Sequence, residues 1–300
     1  MADYRFALEN GGVKHPCPAC KKMRFVPYVD TVTGERVDSV VGRCDREDSC
    51  GYHLTPKEHF LLTGKNPFSS VSTPTRKREP VPEQEPSFID AALLQGSLRN
   101  HEQNNLCRWL HGVFGGRKAF ELTAAYQIGT SKHWPGSCVF WQIDKGGCIR
   151  AGKVMLYNPV TGKRVKEPFN HIQWAHRVLK LEPYRLRQCL FGEHLLAVDQ
   201  ARPVAVVESE KTAIVAAGFL PEFLWLATAG KNNLNKEKLK AVQGRRVTLF
   251  PDLGGYEKWR EIVKGMPDVT LSDILERRAS EADRAAGLDL ADFLLRENGF

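Results

Sequence analysis

The chain has 300 residues, 42% hydrophobic and 26% charged, a globular composition that excludes disorder or a fibrous design over its whole length. No apolar run reaches the ~18–20 residues of a membrane span, and the first ten residues do not read as a signal peptide, so a soluble cytoplasmic protein is expected. The net charge of +8 comes entirely from the middle third: residues 91–200 hold 15 Lys+Arg against 7 Asp+Glu, whereas residues 1–62 (9 and 9), 63–90 (4 and 4) and 201–300 (15 and 15) balance. Four of the six tryptophans, Trp109, Trp134, Trp141 and Trp174, share that third. Basic side chains beside aromatic faces suit a single-stranded polyanion; the alternative is a solvated basic face over core tryptophans.

Residues 1–62 read as a zinc-ribbon module. Cys17 and Cys20 form one close pair, and Cys44 and Cys50 a second. Two such pairs separated by a hairpin-length insert are what a tetrahedral Zn²⁺ site requires. The insert predicts strands at Met23–Val32 and Glu35–Gly42 around a Thr33-Gly34 turn. His53 and His15 lie close enough in sequence to replace one cysteine as ligand. Cys107, Cys138, Cys148 and Cys189 have no ligand spacing and read as buried small hydrophobes. Residues 63–87, rich in Pro, Ser, Thr and Lys/Arg, read as a flexible linker or, alternatively, an ordered strap.

Residues 88–200 predict a basic α+β subdomain. Leu106, Trp109, Leu110, Val113 and Phe114 recur at helical spacing until Gly115-Gly116. Cys138–Ile143 and Ile149–Tyr157 read as antiparallel strands joined by Asp144-Lys145-Gly146-Gly147, with a further turn at Thr161-Gly162. Arg150, Lys153, Lys163, Arg164 and Lys166 on or next to this sheet are the candidate backbone-gripping groove.

Residues 201–300 alternate strand and helix. Strands at Pro203–Val207, Phe223–Thr228 and Arg246–Phe250 interleave with helices at Ser209–Ala217, Leu234–Val242 and from Gly254-Gly255 to about Lys264, which predicts a parallel α/β sheet covered on both faces. Ligand groups in such sheets collect beyond the carboxyl ends of the strands. Glu208 and Asp252 fall there, as a pair suited to Mg²⁺ or Mn²⁺. The alternatives are a helix-dipole role for Glu208 and a turn-forming role for Asp252.

Val207-Glu208-Ser209-Glu210-Lys211-Thr212-Ala213 followed by Leu249-Phe250-Pro251-Asp252-Leu253-Gly254-Gly255 resembles a TOPRIM domain, the fold shared by bacterial-type primases, topoisomerases and some nucleases. Trp134 through Val139-Phe140-Trp141, Gly152-Lys153 and Cys189-Leu190-Phe191-Gly192 resemble the segment preceding TOPRIM in primase catalytic cores. With a zinc ribbon in front, the order of parts is similar to the primases of phages and mobile elements. The resemblance implies Glu208 as catalytic acid, with Asp252 and later Asp residues holding Mg²⁺ or Mn²⁺. Asp289 and Asp292 look like the acidic element that closes many TOPRIM domains, although Asp is also favoured in the first turn of a final helix. Gly254 stands where the family has its second Asp, Ser209 where Gly is usual, and four cysteines where cellular primases have Cys-His-Cys-Cys.

The resemblance implies primer synthesis on single-stranded DNA from nucleoside triphosphates. Lys153, Lys211 and Lys231, lysines near predicted loops, are candidates to face phosphates. No Gly-x4-Gly-Lys-Ser/Thr phosphate loop is present, so unwinding falls to a separate replicative helicase. The competing readings are a non-catalytic, zinc-dependent DNA-binding accessory protein and a TOPRIM nuclease.

Overall fold

The structure, a computed structural model, describes residues 5–9, 14–46, 50–64, 85–230 and 232–300. The chain divides into two compact units, Met1–Val81 and Pro82–Phe300. The predicted linker falls almost wholly at residues 65–84, outside the described residues.

The first unit is built from short antiparallel strands: β1 (Phe6–Leu8), β2 (His15–Pro16), β3 (Met23–Asp30), β4 (Gly42–Cys44) and β5 (His53–Leu54). Their order is β1-β3-β4-β5, with β2 also on β3. The predicted turn exists, with the Gly34 N–H donating to the Asp30 carbonyl at 2.8 Å. The predicted second strand at Glu35–Gly42 does not form. Arg36 bridges Val29, and pairing then resumes only at Gly42–Cys44. Between them the Asp38 carboxylate accepts from the Val40 N–H and the Ser39 hydroxyl, a local alternative to the strand ladder. Helix α1 (Pro56–Thr63) closes the unit behind a capping box of Thr55 and Glu58, with Pro in its first turn, the combination that satisfies orphan N–H groups at a helix start.

The second unit opens with α2 (Ala91–Ser97) and α3 (Asn105–Ala125). The predicted break at Gly115 is a kink: Gly115 takes φ 75° and ψ 165°, and the helix resumes beyond it. An antiparallel sheet follows, β6 (Gly129–Thr130), β7 (Cys138–Ile143), β8 (Ile149–Met155) and β9 (Ile172–Trp174), in the order β6-β7-β8-β9. The β7–β8 hairpin turns at the predicted Asp144–Gly147, where the Gly147 N–H donates to the Asp144 carbonyl at 2.9 Å. Two short helices, α4 (Ala175–Val178) and α5 (Leu195–Val198), lead on.

The alternating segment then runs β10 (Val204–Val207), α6 (Glu210–Phe219), β11 (Leu224–Ala227), α7 (Lys236–Leu239), β12 (Val247–Leu249), α8 (Tyr256–Val263) and β13 (Val269–Leu271). Helix α6 continues through Gly218, which the sequence marks as a stop. The four strands are parallel, in the order β11-β10-β12-β13; the strand β13 was not foreseen. Helices α9 (Ile274–Arg278), α10 (Glu281–Ala286) and α11 (Leu290–Glu297) complete the chain.

Every residue of β10 and β11 is buried, as their continuously apolar sequences require. Val204, Val206, Leu224 and Leu226 pack against Leu239, Val242, Trp259 and Val263 on one face. On the other, Ala205, Val207, Trp225 and Ala227 share a cluster with α6, with α11 and with Leu106, Leu110, Cys138, Phe140 and Tyr157. Side chains from both sides of residue 200 thus form one core, fastened by the Tyr126 hydroxyl donating to the Trp225 carbonyl at 2.8 Å.

Candidate active site and metal centre

In the first unit Cys17, Cys20, Cys44 and Cys50 bring their sulfurs within 4.8 Å of one another. The Cys17–Cys50 and Cys20–Cys44 sulfurs are 3.7 and 3.9 Å apart. A Zn–S bond of about 2.3 Å at tetrahedral angles puts neighbouring sulfurs about 3.8 Å apart, so the four thiols fit one structural Zn²⁺. The sulfurs, together with Phe25 and Tyr52, are also the apolar centre of the module. Neither histidine replaces a cysteine. His53 Nε2 lies 3.0 Å from the Tyr28 hydroxyl, and His15 lies against Arg36 and Glu9. Lysine 22's backbone N–H pulls the Cys20 thiol down to about 6, while burial pushes Cys44 up to about 12.

In the second unit the carboxyl edge of the parallel sheet gathers the predicted acids. Strands β10 and β12 are neighbours, with Val206 opposite Leu249. Glu208 directly follows β10 and Asp252 follows β12 after Phe250-Pro251, so both leave the sheet at the same edge. Glu208 is 3% exposed and Asp252 is half-buried. The turn Asp252–Gly255, closed by the Gly255 N–H donating to the Asp252 carbonyl at 2.8 Å, lies against the Glu208 carboxylate. A Cβ on Gly255 would stand 2.9 Å from Glu208 Oε1 and 3.0 Å from the Asp252 carbonyl. Glycine at 255 is therefore what lets the two acidic loops approach. The Glu208 carbonyl in turn accepts from the Gly230 N–H at 3.0 Å, tying in the loop after β11.

Ser209, which departs from the family pattern, has a local task. Its hydroxyl caps α6 by accepting from the Thr212 N–H. Thr212 Oγ1 donates to Asp289 Oδ2 at 2.7 Å, and Asp289 Oδ1 caps α11 by accepting from the Asp292 N–H. Asp289 thus reaches the start of α6, beside the Glu208 loop, yet both of its oxygens are engaged. Burial, reinforced by the Asp289 charge, raises the Asp292 carboxyl above the usual range. Gly254 takes φ 77° in the turn, and its N–H donates to Glu276 at 2.8 Å. Among the described residues, the four cysteines are the one group of three or more metal-ligating side chains within 4.8 Å; Glu208, Asp252, Asp289 and Asp292 do not close to that distance.

The predicted basic groove is not continuous. Arg150 and Lys153 are three apart on β8 and so point to opposite faces. Arg150 pairs with Asp144 at 2.6 Å and covers the Phe88 ring. Lys153 pairs with buried Glu210 at 2.6 Å and donates to the Ala229 carbonyl at 2.9 Å. Both are structural cations, because a strand inside a packed unit exposes neither face freely. Lys211 sits over the Trp109 ring and donates to the Gly162 carbonyl. Lys163, Arg164 and Lys166 are exposed, and Lys231 lies outside the described residues. Trp109 and Trp141 are core residues, 6% and 3% exposed. Cys107, Cys138 and Cys189 are buried as expected, but Cys148 is exposed in the β7–β8 turn.

A family model described as a domain of unknown function (DUF6371) matches residues 104–253, 150 of the 300 residues and a span holding both Glu208 and Asp252. The chain belongs to the DUF6371 family. A second model, a zinc beta-ribbon finger, matches residues 4–65. No curated protein matches the sequence. Among solved structures, this DUF6371 chain is similar to the primase fragment of the bacteriophage T7 primase-helicase protein, with 12% identity over 89% of this chain and 90% of that one and a TM-score of 0.38. It is also similar to the E. coli primase catalytic core (14% identity, 69% and 81%, TM-score 0.43) and to a DNA primase domain from Pseudomonas aeruginosa (15%, 63% and 65%, 0.34).

Two buried charged residues of the DUF6371 chain, Glu210 and Lys238, were not singled out from the sequence. Glu210, partner of Lys153, was visible only as one of several charges in Glu208-Ser209-Glu210-Lys211. Lys238 is 8% exposed, donates to the Thr228 carbonyl at 3.0 Å, and is lowered to about 8 chiefly by burial. With Asp144, Glu193 and Arg187 it lines a cleft of about 580 Å³. The signal available was Asn235, whose side chain caps α7 by accepting from the Lys238 backbone N–H.

Proposed function

We propose that this chain is a primase-like protein of the kind carried by phages and mobile elements, making short RNA primers on single-stranded DNA by metal-dependent nucleotidyl transfer. In this reading residues 201–300 act as a TOPRIM domain, residues 88–200 as the basic subdomain that takes the template, and the zinc ribbon, beyond a linker at 63–87, helps seat template and first nucleotides. The observation that carries it is the approach of the Glu208 carboxylate to the Asp252–Gly255 turn at the carboxyl edge of a parallel sheet.

The donors at that edge are all oxygens, which suits a hard cation. Glu208 and Asp252 would hold Mg²⁺ or Mn²⁺, with Asp289 and Asp292 completing the acidic rim. A cation bound there would neutralise triphosphate charge and lower the pKa of the primer 3′-hydroxyl. The chain's own part is positional. Ser209 fixes the turn after Glu208, and the Lys153–Glu210 pair pins the start of α6 to the Ala229 loop. Exposed Lys163, Arg164 and Lys166 track template phosphates. Unwinding comes from a separate helicase.

The second reading, a DNA-binding accessory protein without catalysis, is favoured by Gly254 at the second acidic position and by the prior engagement of both Asp289 oxygens. Incubation with single-stranded DNA, ribonucleoside triphosphates and Mg²⁺ or Mn²⁺ separates the readings. Labelled primers that vanish in Glu208→Gln establish the first. Binding without product establishes the second, and a cut template identifies a nuclease.

A further inference from the structure

We propose that His133, Trp134, Phe169 and His171 form a ledge on which unpaired bases of single-stranded nucleic acid stack, with Lys132 and Lys166 holding the flanking phosphates. This rests on the nucleic-acid reading above and adds a site to it.

The topology brings the four rings together. Strands β7 and β9 both pair antiparallel with β8, so they run parallel to each other, and Cys138 and Ile172 both face Met155. The loops entering β7 and β9 therefore meet at one end of the sheet, although thirty-odd residues separate them in sequence. There His133 packs on Trp134 (ring centroids 4.3 Å), Trp134 meets His171 edge-on (5.1 Å, 77°), and Phe169 stacks on His171 (4.3 Å, 24°). Hydrogen bonds hold both loops. The Trp134 carbonyl accepts from the Ser137 N–H and hydroxyl, and the His171 carbonyl accepts from the Leu156 N–H.

Rings that only sealed the end of the sheet would be covered. Instead Phe169 is 54% exposed and His133 is exposed, as are Lys132 and Lys166. The stretch Lys163–Trp174 carries three cations and one acid, Glu167. A fixed aromatic cluster that shows Phe169 and His133 to solvent beside lysines matches a ligand that is planar and anionic in alternation, as a single strand is. An acidic peptide would meet the charge but has no use for stacked planar faces.

The test uses the full-length, zinc-loaded chain and two labelled oligonucleotides of equal length, oligo-dT and an abasic strand, read by fluorescence anisotropy at fixed salt. Wild type should favour oligo-dT about tenfold or more, since stacking is worth about 1–3 kcal/mol per base. Phe169→Ala should lose that preference with abasic affinity unchanged, and Phe169→Trp should keep it. Lys166→Ala should weaken both strands alike and flatten the salt dependence. If Phe169→Ala binds oligo-dT as wild type does, the ledge is overturned while nucleic-acid binding stands. If wild type binds neither strand, the nucleic-acid reading falls and takes the ledge with it.

Discussion

The zinc centre and the carboxylate edge are both built from two pairs of ligating residues, and they come out differently. The four thiols lie within one ligand shell before any ion is considered, because Cys17 and Cys20 lie just before β3, Cys44 ends β4, and the β3–β4 pairing sets Phe25 opposite Cys44. The four acids arrive from the ends of β10 and β12 and the start of α11, and each has other work. Asp289 caps a helix and accepts from Thr212, and Glu208 lies under the Asp252–Gly255 turn. A ligand set with no alternative employment closes on itself. One drawn from a packed, hydrogen-bonded rim converges only as far as that packing allows, and here the acids stay further apart than the thiols do.

Removing the ion should expose the first half of this contrast most strongly. Elemental analysis should find one zinc per chain and almost none in Cys17→Ser. Structural zinc is worth about 10–16 kcal/mol in small fingers, so that variant should also lose the β-ribbon, with the amide protection of β3 and β4 collapsing in hydrogen exchange. A zinc-free wild type with an intact ribbon would break the comparison.

The acidic rim depends next on Glu210. Removing one partner of a buried ion pair costs about 3–5 kcal/mol, so Glu210→Gln should lower denaturant stability by that order and leave Lys153 buried without its counter-charge. A loss below about 1 kcal/mol would mean that the pair does not pin the rim.

Lys238 gives a pH signature of slightly smaller size. Its folded value is about 8, below that of a free lysine. Between about pH 8 and 10.4 the unfolded chain holds a proton that the folded chain has shed, so the lysine's contribution to stability rises with pH across this window and is unfavourable below it. The difference in unfolding free energy between wild type and Lys238→Met should therefore shift in favour of wild type by up to about 3 kcal/mol from pH 7 to pH 10.5. Parallel curves would contradict the burial of a charged amine there.

The smallest effect belongs to Asp289. As a helix cap it should cost about 1–2 kcal/mol on substitution by Ala, whereas Asp289→Asn, which keeps an acceptor, should cost less. If both variants bind Mn²⁺ as wild type does, the cation rests on Glu208 and Asp252 alone.

The sequence made some parts of this legible and hid others for physical reasons. The Cys spacing and the apolar run Val204–Val207 depend on local chemistry, and both read correctly. The helix at Asn105–Ala125 was legible only as far as Phe114: Gly115-Gly116 reads as a stop, whereas the backbone kinks at Gly115 and the helix resumes to Ala125. Strand β13 was missed because Val269-Thr270-Leu271 is too short to stand out; its pairing with β12 creates it. Arg150 and Lys153 read as a groove because sequence shows charge but not partners, and Asp144 and Glu210 claim them. The Phe169 ledge depends on the meeting of two loops distant in sequence, a fact of topology alone.

The central claim is that Glu208 and Asp252 share one divalent cation. Titration of the zinc-loaded chain with Mn²⁺, followed by the loss of the free-ion electron paramagnetic resonance signal, tests it directly. The account predicts uptake of Mn²⁺ by wild type that is abolished both in Glu208→Gln and in Asp252→Asn. Uptake that persists undiminished in both variants would contradict it.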